Sequence, residues 1–275
     1  DLLDYLEVVG RSQPLVHPAA PWVAIPTTAG AGAEVTRNAV IASPEHRVKA
    51  SLRSPMLLAR LVIVDPELAC GLPPALTAST GLDALTQLIE PYVSCRANPF
   101  MDALCREGMT RVARSLRRAC EDGQDAAARE DMALASLFSG LALANAGLGA
   151  VHGFAAPIGG SFGAAHGAVC AALLPAVMGV NLRALQQRQP DSPALRRYED
   201  VAHLLTGKAQ ATVADGLAWI RETCVALNIP PLRTHGISAG DIPNLCDKAA
   251  AASSMKGNPL PLNPDELMEI LERAL

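Results

Sequence analysis

What this 275-residue sequence has little of narrows its class first. Aromatic residues make up 3% of it, against an apolar content of 50%. A core must therefore be built mostly from Ala, Leu, Val and Ile, and Ala and Leu favour helices. There is no basic block, and the net charge is -4. That excludes nucleic acid or an anionic membrane as the main partner. No uninterrupted apolar run has the length of a membrane span, and the N-terminal stretch Asp1 to Gly10 lacks a basic signal-peptide start. The seven cysteines are odd in number and have no CxxC spacing. A disulfide scaffold and a zinc ribbon are thereby excluded, and a reduced, cytoplasmic protein with thiols as small core residues is indicated. Internal repeats and low-complexity linkers are also missing.

What is present divides near residue 70. Asp1 to Glu7 suits the end of a short helix, and Pro14, Pro18 and Pro21 mark an irregular approach. Trp22 to Ile25 is a short strand running into a small, hydroxyl-rich loop, PTTAGAGAEVT, from Pro26 to Thr36. Such a loop can present backbone N–H groups to phosphate, or be a plain strand-to-helix turn. It has neither the Lys of a P-loop nor a GxGxxG pattern. Ala39 to Ala42 and Val48 to Leu52 are expected as strands flanking the turn Ser43 to His46. Leu61 to Val64 is a continuous apolar run of the kind found in strands buried on both faces. Residues 1–70 are thus part of an α/β layer, and 71–275 are helical.

The expected helices are Leu76 to Tyr92, Pro99 to Glu121, Ala126 to Leu148, Ala168 to Val180, Ala194 to Leu205, Thr212 to Leu227, Ala239 to Ala252 and Pro264 to Leu275. Asn98-Pro99 and Asn263-Pro264 place Pro in a first turn after an N-cap residue. Gly123, Gly207 and Gly236 stand where helices should stop.

The chemistry concentrates in Gly147 to Gly167, GLGAVHGFAAPIGGSFGAAHG, which holds His152 and His166 fourteen positions apart. A helical run leads into His152, Gly159-Gly160 is read as a break, and an apolar run follows His166. Two helix ends joined by a Gly-rich bend can bring both imidazoles to one point. Upstream, GLDALTQLIE holds Asp83 and Gln87 four apart, on one helix face. A carboxylate, an amide oxygen and two imidazoles can ligate a divalent transition metal. Each also has a plain reading. Buried histidines are commonly hydrogen-bonded core, and Asp83 follows Thr80 by three, as in a capping box.

Taken in order, PTTAGAGAEVT, VIVDPELACGLPPALTASTGLDALTQLIEPY, GLGAVHGFAAPIGGSFGAAHG and SSMKGNPLPL resemble the iron-containing alcohol dehydrogenases, which have the dehydroquinate-synthase-like fold. The resemblance spans nearly the whole chain. It implies a mainly α protein, with an all-helical metal-binding domain preceded by the remaining part of an α/β dinucleotide-binding domain, and metal and substrate in the cleft between them. It implies that Asp83, His152 and His166 are metal ligands and catalytic, for Fe2+ or Zn2+. It implies cofactor contacts from Thr27, Thr28, Gly30, Gly32, Val40 and Lys49 to NAD or NADP. The implied activity is hydride transfer between a small-molecule alcohol or aldehyde and that cofactor.

Three departures accompany the resemblance. Gln87 stands where the family has a fourth, histidine ligand. Ala156 stands where it has a further histidine. The family's Gly-rich pyrophosphate loop lies upstream of Pro26 and outside this sequence, so the N-terminal part of the nucleotide-binding domain is expected to be lacking. The two-histidine, one-carboxylate set leaves a non-heme iron oxygenase as an alternative, and a catalytically degenerate scaffold as another. Open strand edges and an apolar composition lead to a homodimer or larger homo-oligomer.

Overall fold

Proline and capping side chains set the helix starts as expected. Asn98 Oδ1 accepts from Met101 N at 3.1 Å, directly ahead of helix α2 (Pro99–Glu121). Asn263 Oδ1 accepts from Glu266 N at 2.9 Å while Glu266 Oε2 accepts from Asn263 N at 2.8 Å, a reciprocal cap opening α9 (Pro264–Ala274). The computed structural model describes residues 1–46 and 48–275. Its other helices are α1 (Pro74–Val93), α3 (Ala126–Ala146), α4 (Ala150–Phe162), α5 (His166–Arg188), α6 (Pro193–Thr206), α7 (Val213–Ala226) and α8 (Ile242–Ala251). The chain is mainly α, as the sequence led one to expect.

At the centre lies α1, on which every residue from Gly81 to Val93 is buried. It packs against α2, α3, α5 and α6. A helix hydrophobic all round belongs in a core, yet this one also buries Asp83, Thr86, Gln87 and Glu90. Thr86 satisfies itself on Leu82 O at 2.7 Å. The other three lie at i, i+4 and i+7, one face of the helix. The capping-box reading of Thr80 and Asp83 is overturned here. Both sit well inside α1, and the Thr80 hydroxyl donates to Leu76 O at 2.8 Å.

Before α1 come four short strands in two pairs. β1 (Val23–Ala24) pairs in parallel with β4 (Leu61–Val62), Val23 opposite Leu61. β2 (Asn38–Ser43) pairs antiparallel with β3 (Val48–Arg53), Val40 opposite Ser51 and Ala42 opposite Lys49. The expected burial of Leu61 to Val64 on both faces does not hold: Leu61 and Ile63 are 53% and 45% exposed. Among the described residues no further strand extends the β1–β4 pair. Asp1 to Glu7 gives only a short 3-10 turn, Leu2–Asp4.

Two further expectations change. Gly159-Gly160 does not break the chain but lies within α4, a helix that periodicity alone did not isolate. The glycines are needed for packing. A Cβ on Gly160 would lie 2.7 Å from Val48 Cα, and one on Gly159 would lie 3.1 Å from Lys49 Nζ. Strand β3 therefore rests directly on α4. The chain turns instead at Gly147, whose φ is +73°, where α3 and α4 meet at 101°. Second, α5 is by length and hydropathy long enough to cross a membrane, but 72% of its apolar window is buried inside the protein. It is a core helix.

The loop from Pro26 to Thr36 is clamped by an equally tight contact. Gly32 has a φ of +58°, and a Cβ on the facing Gly140 of α3 would lie 2.1 Å from Gly32 O. Ala normally gains about 1 kcal/mol over Gly inside a helix. At Gly140 the backbone clash should reverse that, so Gly140→Ala is expected to destabilise by about 1–3 kcal/mol. At Gly179 of α5 an added Cβ would meet no atom closer than 3.6 Å, and Gly179→Ala is expected to be neutral or to stabilise by up to about 1 kcal/mol. Denaturant unfolding of the two variants checks the sign of each.

Candidate metal centre

The polar stripe of α1 faces the starts of α4 and α5. Helix α4 begins at a glycine, Gly149, with no side-chain cap of its own. Its first N–H groups are taken by side chains from elsewhere. Glu90 Oε1 accepts from Val151 N at 2.7 Å, and Asn258 Oδ1 accepts from Ala150 N at 3.2 Å. A carboxylate at a helix N-terminus is also favoured by the helix dipole. A Cβ at Gly149 would come within 2.9 Å of Glu90 Oε1, so this cap depends on glycine there. Asn258 is held in turn by Asn181, with its Nδ2 2.8 Å from Asn181 Oδ1 and 2.9 Å from Leu260 O.

That cap aims His152, the third residue of α4. Its Nδ1 donates to Glu90 Oε2 at 2.7 Å, which leaves Nε2 directed at Asp83 Oδ1, 3.4 Å away. His166, the first residue of α5, places Nε2 3.7 Å from the same oxygen. The start of α5 sits hard on α1, since a Cβ on Gly167 would lie 2.6 Å from Ser79 O. One turn further along α5, Cys170 Sγ lies 3.8 Å from His152 Nε2 and 3.7 Å from His166 Nε2. One ligand atom from each of Asp83, His152, His166 and Cys170 lies within 4.8 Å of all the others.

Without a metal, the positive charge facing Asp83 comes from the imidazoles. Asp83 Oδ1 is buried and has no hydrogen-bond partner. An unpartnered buried carboxylate oxygen costs several kcal/mol. Burial pushes the Asp83 carboxyl up, but the neighbouring imidazoles outweigh it and hold the group below the usual carboxylate range. Burial also opposes charge on His152, yet Cys170, Glu90 and Asp83 around it hold it well above the ordinary histidine value. Burial pushes the Cys170 thiol up to about 12. A divalent ion at the common point would satisfy Oδ1 and both Nε2 atoms together. The site is closed around Asp83 and His152, each with 5% of its side chain exposed, and opens at His166, with 40% exposed.

Gln87 is buried on the same face of α1 as Asp83, but its Oε1 lies 3.5 Å from Ser139 Oγ on α3. The Ser139 hydroxyl has its shortest bond to Ser136 O of its own helix, at 2.8 Å, with Gly30 O 3.3 Å away. Within that loop Thr27 and Thr28 are exposed, whereas Gly30 and Gly32 are buried against Thr80 of α1 and Gly140 of α3. Val40 and Lys49 share one face of the β2–β3 ribbon, by the alternation of side chains along paired strands. The Lys49 side chain lies along Gly159 of α4.

Sequence reasoning missed Glu90, Cys170, Ser139 and Asn258. The first two were within reach of a signal already in use. Glu90 extends the Asp83–Gln87 face by i+7, and Cys170 follows His166 by four, the same one-turn spacing.

Known proteins share this fold. The family described as Fe-containing alcohol dehydrogenase, C-terminal, matches residues 77–275, and iron-containing alcohol dehydrogenase matches residues 1–66. The 1,3-propanediol dehydrogenase of Klebsiella pneumoniae is 37% identical over 280 residues, covering all of this chain and 69% of that protein. A crystal structure of a 1,3-propanediol oxidoreductase superposes with a TM-score of 0.87 at 37% identity, covering 95% of this chain and 68% of the other. A sulfoacetaldehyde reductase from Bifidobacterium kashiwanohense, solved in complex with NAD+, superposes at 0.84 and 26% identity, covering 100% and 69%.

Glu90 should matter to metal binding without touching the metal. Glu90→Gln keeps an oxygen for Val151 N but weakens the hold on His152 Nδ1. A loss of about 10–100-fold in zinc affinity is expected, measured by competition with a chromophoric chelator; unchanged affinity would remove Glu90 from that role. Proton competition supplies a second check. His152 must shed its proton to ligate, and it holds that proton above the ordinary histidine range. Zinc affinity of the unmodified protein should therefore rise with pH from neutrality upward.

Proposed function

This chain belongs to the iron-containing alcohol dehydrogenase family, and we propose that Asp83, His152 and His166 hold its divalent metal at the reacting centre. As a member, it is a metal-dependent oxidoreductase acting on a small-molecule alcohol or aldehyde with NAD or NADP. The observation that carries the assignment is Asp83 Oδ1, buried, unpartnered and faced by two imidazole nitrogens at 3.4 and 3.7 Å. Carboxylate oxygen and imidazole nitrogen suit Fe2+ and Zn2+. A metal held there supplies Lewis acidity that lowers the pKa of an alcohol hydroxyl, and the nicotinamide supplies the hydride acceptor.

The remaining steps belong to the chain's own residues. Asp83 brings a negative charge that its neighbours keep ionised. Glu90 fixes the ring of His152 so that Nε2 faces inward. His166, on the open side, borders the path by which substrate arrives. Ala156, one turn beyond His152, is exposed and bears no proton acceptor. On that side the released proton passes to solvent.

The nucleotide is assigned to residues 1–70 and the metal to residues 71–275, with the reacting groups meeting where the Pro26–Thr36 loop and β3 rest on α1, α3 and α4. Thr27 and Thr28 offer exposed hydroxyls. Gly30 and Gly32, being pinned to the helices, hold the loop backbone ready for phosphate. On the ribbon face Lys49 offers a cation and Val40, 63% exposed, an apolar surface. We further infer self-association, supported by the uncovered strands and the exposed Trp22, Val23, Ile25, Leu61 and Ile63 around them. Seven unpaired thiols support a reducing, cytoplasmic setting with no membrane or nucleic-acid partner.

Elemental analysis after reconstitution with Fe(II) or Zn(II) tests the assignment. About one metal per chain is expected for the unmodified protein. His166→Ala should lower metal content and abolish alcohol-dependent reduction of NAD or NADP. Equal metal content in both proteins would strike His166 from the ligands.

A further inference from the structure

We infer that Cys170 is the fourth protein ligand, as a thiolate, and that the centre is an Asp–His–His–Cys site suited to zinc or cobalt, which would expand to five-coordinate to take the alcohol oxygen on the open His166 side. This rests on the assignment of Asp83, His152 and His166 to a metal, and adds the identity of the group completing it. Ligands arranged tetrahedrally at bond lengths of about 2.0–2.3 Å lie about 3.3–3.6 Å from one another. The distances here are 3.4 Å from Asp83 Oδ1 to His152 Nε2, 3.7 Å from Asp83 Oδ1 to His166 Nε2, and 3.8 and 3.7 Å from Cys170 Sγ to the two imidazole nitrogens. These four pairs are near that range, and all four atoms lie within 4.8 Å of one another, so one ion would touch each after local adjustment of the side chains.

A lone buried cysteine is ordinarily a small core residue, as Cys105 is. Cys170 differs in its company. The oxygen across the knot from it, Asp83 Oδ1, belongs to a side chain only 5% exposed and accepts no hydrogen bond of good geometry. Both imidazoles present Nε2 to the sulfur as well as to that oxygen. A thiol has a single proton and could serve only one of them, at distances near 3.7 Å. Gln87, the residue expected to complete the set, has its amide oxygen 3.5 Å from Ser139 Oγ of α3. A neutral amide oxygen is also a harder ligand than imidazole or thiolate.

The exchange has a chemical consequence. Two neutral imidazoles, one carboxylate and one thiolate carry a charge of -2, which balances a divalent ion. Thiolate selects the softer end of the divalent series, favouring zinc and cobalt over a set of nitrogen and oxygen alone. Metal binding must then release the thiol proton, since a coordinating thiol is deprotonated outright.

Cobalt is the probe. The metal-stripped protein is titrated with Co(II) and its spectrum recorded. The unmodified protein should show the visible bands of four-coordinate cobalt together with an intense near-ultraviolet sulfur-to-cobalt band. Cys170→Ser should lose the near-ultraviolet band and bind cobalt at least about 10-fold more weakly, whereas Gln87→Ala should keep it. Cobalt bound without the sulfur band would overturn the role of Cys170 and leave the other three ligands standing. No cobalt bound at all would overturn both readings. If Cys170→Ser does not fold, X-ray absorption at the zinc edge of the unmodified protein decides instead. One sulfur neighbour at about 2.3 Å is expected, and a shell of nitrogen and oxygen only would overturn the inference.

Discussion

A helix enclosed on every side can carry polar groups only if each finds a partner within the protein. That constraint governs α1, on which thirteen consecutive residues, Gly81 to Val93, are buried. Glu90 meets it with a backbone N–H of α4 and the ring of His152. Thr86 turns to its own helix. Asp83 alone leaves an oxygen without a donor. The centre is built around that deficit, because the elements able to offset it, the starts of α4 and α5, converge there.

Glu90 joins folding to chemistry in one side chain. One oxygen caps α4 and the other orients His152. The cap needs Gly149 for clearance and Asn258 for the neighbouring N–H. Asn258 lies in the SSMKGNPLPL stretch, more than a hundred residues beyond His152, so a motif that looks remote from the ligands in sequence supports one of them. Beside Gln87, Ser139 of α3 donates to Ser136 O of its own helix and lies 3.3 Å from Gly30 O. The loop assigned to the nucleotide is held against α1 and α3 by the close approach of Gly30 to Thr80 and of Gly32 to Gly140.

Glycine serves close approach more than flexibility here. Gly140 admits the Gly32 backbone, and Gly159-Gly160 admit β3. Read as a string, Gly-Gly suggests a break, since glycine weakens an isolated helix. Packed against a strand, the same pair allows a helix that no larger residue would. The β1–β4 pair shows the converse. Its apolar run has the composition of a covered strand but stays exposed, because burial depends on neighbouring layers and not on composition.

Much of the fold and part of the site could be read from residues alone. Pro after Asn started α2 and α9 where expected, because capping is decided within a few residues. The face shared by Asp83 and Gln87 followed from helical period, and His152 and His166 from their motif. Tertiary structure decided the rest. Glu90 became a cap and a ring clamp only because α4 begins against it, and Cys170 entered the knot only because α5 begins on α1. Local propensity and periodicity determine which residues share a helix face, whereas the point where three faces meet is set by contacts between segments far apart in the chain, which no local pattern encodes.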